Sequence, residues 1–168
     1  MKKIIIYLFA IAILPLNVLA QDTTAVKQQA NILAQAMIAG DYATIINHTY
    51  PKAVQMAGGK QKMISIVNQG MVQMKTQGVI FERATIGSPG KFYKAGAETH
   101  CIVPENLTIK LPNAHIISHS YLLAISKDGG KTWSFLDLNN STSDKVKQLI
   151  PNFNPALQIP KSTTEQIL

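Results

Sequence analysis

The chain has 168 residues, 46% of them hydrophobic, with 16 Lys and Arg against 9 Asp and Glu and a formal charge of +7. A single cysteine, Cys101, excludes an internal disulfide and a cysteine-built zinc cluster. The basic groups are scattered, include one arginine (Arg83), and interleave with aromatics only at Lys91-Phe92-Tyr93-Lys94, so the composition argues against a nucleic-acid interface.

Lys2 and Lys3 precede an apolar run from Ile4 to Leu14, which Pro15 breaks before Val18-Leu19-Ala20. A basic start, a short apolar core and a small-residue exit form the pattern of a signal peptide over residues 1–20. The run is shorter than the roughly 20 apolar residues that cross a bilayer. An uncleaved N-terminal anchor is the alternative. The expectation is a periplasmic or secreted protein with no stable membrane insertion after cleavage. Cleavage removes two of the sixteen basic groups and leaves +5.

The first element beyond the leader is a helix from Thr24 to Ala39, with Val26, Ala30, Leu33 and Met37 on one stripe. Gly40 suits its C-terminal end, and Asp41 is placed to cap a short helix from Tyr42 to His48 that ends before Pro51. After Gly58-Gly59, a third helix runs from Lys60 to Gln77 with Met63, Val67, Met71 and Met74 on one face. The texture then turns to β: Val79–Ile86, then Lys91–Val103 with an interruption near Ala95-Gly96. Pro104-Glu105-Asn106 reads as a turn into Leu107–Leu111, Pro112-Asn113 as the next break, and Ile116–Ser126 as a further strand. A helix at Ser143–Ile150, an irregular strap to Pro160 and a frayed tail at 161–168 complete the chain. The layout expected is a leader at 1–20, one α+β domain at 21–160 and a flexible tail at 161–168.

Tyr121–Ile125 and Trp133–Leu138 flank an Asp-Gly-Gly turn, the strongest hairpin signal present. The connecting octet resembles the Asp-box, with Ser126, Asp128, Gly130, Thr132 and Trp133 matching. The resemblance implies a hairpin braced from within, since a turn carboxylate accepts backbone N–H groups a few residues on. It occurs once, so the repeated blades of a propeller are excluded. A carbohydrate-binding role is a distant reading of the same motif.

Helices followed by long antiparallel strands give an α+β order. The amphipathic first helix ending Ala39-Gly40-Asp41-Tyr42, the next two helices and the terminal hairpin with Trp133 and Phe135 resemble the nuclear-transport-factor-2-like (cystatin-like, SnoaL-like) superfamily. More narrowly, the chain is similar to small exported proteins of Bacteroidetes-type bacteria. The resemblance implies N-terminal helices packed in a curved antiparallel sheet, a cystatin-like cone, followed by a short C-terminal helix. Within the cone it implies a cavity that serves catalysis in some members and binding or assembly in others.

Asp137 is the candidate carboxylate, sharing a strand face with Trp133 and Phe135. The alternative is that it caps the loop Leu138-Asn139-Asn140. Tyr42 and Tyr50 are candidate phenolic donors, or else pack their rings. Met37, Met63 and Met71, with Trp133 and Phe135, are a candidate apolar lining or simply core. Glu98 and His100 share a face, for proton transfer or for solvent. His115 and His119 are too far apart along a strand for an easy chelate, so neither a metal nor a cofactor is expected. Two functions follow. The first is a non-catalytic module that binds a small hydrophobic ligand, or a protein partner including a second copy, through its cone or sheet face. The second is a small isomerase or dehydratase with a carboxylate base in the cone.

Overall fold

The structure is a computed structural model and describes residues 23–139 and 141–167; the leader expected at 1–20 lies outside the described residues. The N-terminal helices are α1 (Thr23–Ala39), α2 (Tyr42–His48), α3 (Pro51–Met56) and α4 (Lys60–Thr76). Strands β1 (Ile80–Ile86), β2 (Tyr93–Ala95), β3 (Glu98–Leu111), β4 (Ala114–Ser126) and β5 (Ser134–Asp137) follow, then α5 (Ser143–Leu149) and β6 (Thr163–Ile167). The architecture is α+β, with helices first, an unclosed curved antiparallel sheet and a short later helix.

Helix α1 forms where the stripe predicts it, burying Val26, Ala30, Leu33, Ala34 and Ala36. Each fully buried aliphatic side chain such as Val26 contributes about 1.5–3 kcal/mol. Gly40, at φ +71°, stops the helix: its N–H bonds Met37 O and the Asp41 N–H bonds Ala36 O, a Schellman closure that needs the left-handed conformation. Asp41 then caps α2, its carboxylate accepting the Thr44 N–H at 3.1 Å and the Thr44 hydroxyl at 2.6 Å. These two bonds, the hydroxyl first, hold the Asp41 carboxyl below its ordinary value. Pro51 begins rather than merely follows a helix, since its missing N–H costs nothing at the first helical position of α3.

The sheet is built on one long hairpin. Strands β3 and β4 pair along thirteen positions, from Thr99 with Ser126 to Leu111 with Ala114. On the outer side of β3, β1 covers Glu105–Lys110 and β2 covers Glu98–His100. On the outer side of β4, β5 covers Leu122–Ile125 and β6 covers His115–His119.

Two expectations are corrected here. Pro104-Glu105-Asn106 is not a turn but the middle of β3. Pro104 O accepts the Gly87 N–H, so the residue's polar edge faces outward, beyond the end of β1, and its missing N–H breaks no β3–β4 bond. Residues 161–168 are not merely a frayed tail: Thr163–Ile167 pair with the stretch of β4 that β5 leaves open, with His119 and Glu165 3.6 Å apart.

Both faces of the sheet are covered. Toward α1 point Cys101, Val103, Leu122, Ala124, Trp133 and Phe135. On the opposite face, Leu123 and Ile125 pack against Val146, Ile150, Phe153 and Leu157 of α5 and the strap. The strap is therefore part of the domain, further tied by the Asn154 amide donating to Lys94 O at 2.8 Å. Burial on both sides explains the unbroken apolar run Tyr121–Ile125 in a central strand. No helix among the described residues is long and apolar enough to cross a membrane.

Candidate functional site

The β4–β5 connection closes on itself. Asp128 accepts the Thr132 N–H at 2.9 Å, the Thr132 hydroxyl at 2.7 Å, the Ser126 hydroxyl at 2.9 Å and the Lys131 N–H at 3.1 Å. Those bonds, the Thr132 amide first, hold its carboxyl down at about 2. Trp133, 4% exposed, lies back over the turn and donates its indole N–H to Gly130 O at 2.9 Å. Gln29 of α1 clamps the hairpin from the helix side, accepting the Trp133 N–H at 2.8 Å and donating to Lys131 O at 3.0 Å. The Asp128 carboxylate, the Ser126 and Thr132 hydroxyls and the Trp133 indole N–H are thus engaged within the hairpin, and Gln29 ties it to α1. Trp133 is core, packed on Phe92 at a ring separation of 5.6 Å.

Beside this brace, the helices and the sheet enclose a cavity of about 340 Å³. Leu33 and Met37 come from α1, Ile45 from α2, Ala53 from α3 and Met63 from α4, with Thr49 from the α2–α3 link. The sheet supplies Glu105, Leu107, Leu122, Phe135, Leu136 and Asp137. The volume falls at the small end of the range for ligand pockets, about 300–1,000 Å³. The wall at β5 is fixed by a backbone bond from the Tyr50 N–H to Phe135 O at 3.0 Å.

Glu105 is the unusual group. It is 4% exposed, and among the described residues its carboxyl has one hydrogen-bond partner, the Ser120 hydroxyl at 3.3 Å on the paired position of β4. Burial, reinforced by the negative charge of Asp137, pushes its carboxyl up to about 7, with the Ser120 bond opposing in part. At neutral pH the acid and the carboxylate therefore coexist inside an apolar chamber.

Asp137 lines the mouth of the same cavity but is exposed, and its Oδ1 accepts the Asn139 N–H at 2.8 Å. The capping alternative is thus what the side chain does, and the expected buried base is not Asp137. Neither tyrosine faces it across the cavity. Tyr50 is turned to the opposite face of the sheet, where its hydroxyl donates to Glu98 Oε1 at 3.3 Å. Tyr42 lines a neighbouring depression of about 220 Å³ together with Met37, Met71 and Lys75. Of the candidate lining residues, Met37, Met63 and Phe135 reach the cavity; Met71 and Trp133 do not.

A second polar cluster lies on the far face. Glu98 accepts His100 Nε2 at 2.9 Å, and Lys127 Nζ lies 3.3 Å from its other oxygen and 5.4 Å from the centre of the Tyr50 ring. Burial works to raise the Glu98 carboxyl, but the bonds from His100 and Lys127 outweigh it and hold the group below its ordinary value. Burial, with the Glu98 charge, raises the Tyr50 phenol. His100 is fully buried and stacked on Phe153 at 6.1 Å, so the solvent-facing alternative for this pair is overturned by the strap lying across it. The cluster joins the residue before α3, strand β3, the turn after β4 and the strap, and none of its members lines the cavity around Glu105. A groove of about 520 Å³ further along that face, between Tyr93, Tyr121 and the strap, contains no carboxyl. Cys101 is fully buried in the α1-facing core and its thiol is pushed up to about 12 by burial, which leaves it inert as a nucleophile. Among the described residues no group of three or more His, Cys, Asp or Glu side chains is placed to hold a metal ion.

Comparison with protein-family models, with curated proteins and with solved structures finds no match to the chain. The site stands on its own geometry. Sequence reasoning passed over Glu105 because Pro104 suggested a turn. The signal was nonetheless there: Cys101, Val103 and Leu107 occupy alternate positions of one strand face, and Glu105 holds the position between them.

Proposed function

We propose that the chain is a small exported enzyme of the isomerase or dehydratase type, built on a nuclear-transport-factor-2-like frame, with Glu105 as its general acid–base. The observation that carries this reading is a carboxyl 4% exposed on the wall of an apolar cavity and raised to about 7. A general base works best when its pKa lies near the working pH, and such tuning is commonly found at active sites. The carboxylate form removes a proton from a carbon next to an activating group of an apolar substrate. The acid so formed returns the proton to a neighbouring atom, so one residue serves both half-steps. Leu33, Met37, Met63 and Phe135 exclude water and accommodate the hydrocarbon. The Thr49 hydroxyl is committed to Ile45 O at 2.9 Å and takes no part.

Two measurements test this. Carboxyl carbon NMR of labelled glutamate should give one titration near pH 7 that disappears in Glu105→Gln. Deuterium incorporation next to the carbonyl of a small cyclic ketone in heavy water should be accelerated by the protein and fall by about 10²–10⁴-fold in Glu105→Gln, the usual contribution of a positioned acid–base. An ordinary titration for Glu105, or exchange unaffected by the substitution, returns the cavity to the role of a non-catalytic binding site for a small hydrophobic molecule.

A further inference from the structure

The chamber around Glu105 is acidic and, among the described residues, has no cationic side chain in its lining. Of its lining groups only Glu105 and Asp137 ionise, while Lys127 belongs to the far face and Lys75 to the neighbouring depression. Asp137 stands at the mouth with its Oδ1 engaged by the Asn139 N–H; its Oδ2 has no bond among the described residues. The two carboxylates lie diagonally across the sheet, since Asp137 pairs with Leu122 and Glu105 with Ser120 on the same strand β4. Their mutual repulsion marks the chamber as a place where an added positive charge relieves a cost and an added negative charge deepens it.

We propose that the occupant of this cavity is a small apolar amine, bound as its ammonium with the charge on Asp137 and the hydrocarbon against Met37, Met63 and Phe135. The inference rests on the cavity being a ligand site and adds the charge class of the ligand. A fatty acid or phosphate ester of the same size meets the charge of Asp137 and, where Glu105 is ionised, a second negative charge. A neutral molecule gains the apolar contacts alone. An ammonium gains both, and at a partly exposed mouth it keeps some of its hydration, so the desolvation that makes buried ion pairs unrewarding is limited. There is a consequence for Glu105. A cation beside Asp137 cancels the charge that helps hold the Glu105 proton, so binding releases that proton and leaves the carboxylate form.

The test is calorimetric titration of the full chain at pH 7 with octylamine, octanol and octanoate, which share a chain length and differ in charge. Octylamine should bind about tenfold tighter than octanol, the scale of one favourable charge pair, and octanoate should bind weaker than either. Asp137→Asn should reduce octylamine to about the level at which the same variant binds octanol, and Asp137→Glu should restore the preference. The amine titration should also release protons, seen as a dependence on buffer ionisation heat, and Glu105→Gln should abolish that release. Octanol binding as tightly as octylamine, octanoate binding tightest, or a preference that survives Asp137→Asn would each overturn the assignment while leaving proton transfer by Glu105 to its own exchange assay. If none of the three binds, the ligand-site reading fails along with it.

Discussion

Replacing Glu105 by Gln should change the pH dependence of stability more than stability itself. In the unfolded chain the carboxyl gives up its proton near 4.5; in the folded chain it keeps it to about 7. Between those values the native state binds more protons than the unfolded state, so stability falls as pH rises through the window and levels off above it. A rise from 4.5 to about 7 corresponds to about 3 kcal/mol at the alkaline end. Gln has nearly the same shape and no such slope. The two proteins should therefore be close in stability at pH 4, and the variant should be more stable by about 3 kcal/mol at pH 8, less what its own buried amide costs. Urea unfolding followed by Trp133, the one tryptophan, gives both curves. The difference cancels every other titrating group. Parallel curves from pH 4 to pH 8 would refute the burial and charge argument for Glu105. Asp137→Asn should narrow the window from its upper end, because it removes the neighbouring charge.

Asp128 has the opposite sign. Its folded-state carboxyl is held at about 2 against an ordinary 3.8, so its contribution is complete above pH 4 and is lost as pH falls through that interval. Asp128→Ala should lower the urea midpoint at pH 7 and flatten this acid limb, which unfolding between pH 2 and pH 5 will show. Tyr50→Phe should cost about 1 kcal/mol through the lost bond to Glu98 and leave ketone exchange unaltered, since the phenol faces away from the cavity. Helix α4 buries none of its seventeen residues, whereas α1, of equal length, buries five. Amide exchange followed by mass spectrometry should accordingly be faster across α4 than across α1. Because Met63 closes one wall of the cavity, an occupant should slow exchange near it. Equal protection of the two helices would contradict this.

Much of the frame was legible in the sequence because local chemistry and tertiary demand agree there. The α1 stripe, the Asp41 cap and the octet from Ser126 to Trp133 each specify their own geometry through neighbours in sequence. Elements that depend on distant partners were not legible. β3 continues through Pro104 only because the polar edge of that residue faces a gap beside β1, and β6 forms only because β5 leaves half of one edge of β4 open. The site followed the same division. Met37, Met63 and Phe135 could be named from periodicity, and Asp137 from the face it shares with Trp133 and Phe135, but Glu105 was hidden because Pro104-Glu105-Asn106 reads as a turn and is strand instead. Tyr50 was not placeable for the same reason: it lies beyond the end of α2, where the backbone bonds β5 and the side chain turns to the other face of the sheet.

Strand β3 contains two largely buried glutamates whose contrast assigns their roles. Glu98, on the strap side, meets Tyr50, His100 and Lys127, and its charged form is held stable. Glu105, seven residues on and on the α1 side, meets one hydroxyl and a neighbouring negative charge, and its charged form is resisted. The first arrangement strengthens the fold by joining four segments. The second weakens it at every pH above the ordinary carboxyl range, in a position where Leu or Val would complete the face formed by Cys101, Val103 and Leu107. A carboxyl that stability alone would replace, set in the wall of a chamber large enough for a ligand, is where proton chemistry is to be sought. Glu105→Leu should accordingly raise the urea midpoint at pH 8 while abolishing exchange, and a substitution that lowered both would mark Glu105 as part of the scaffold instead.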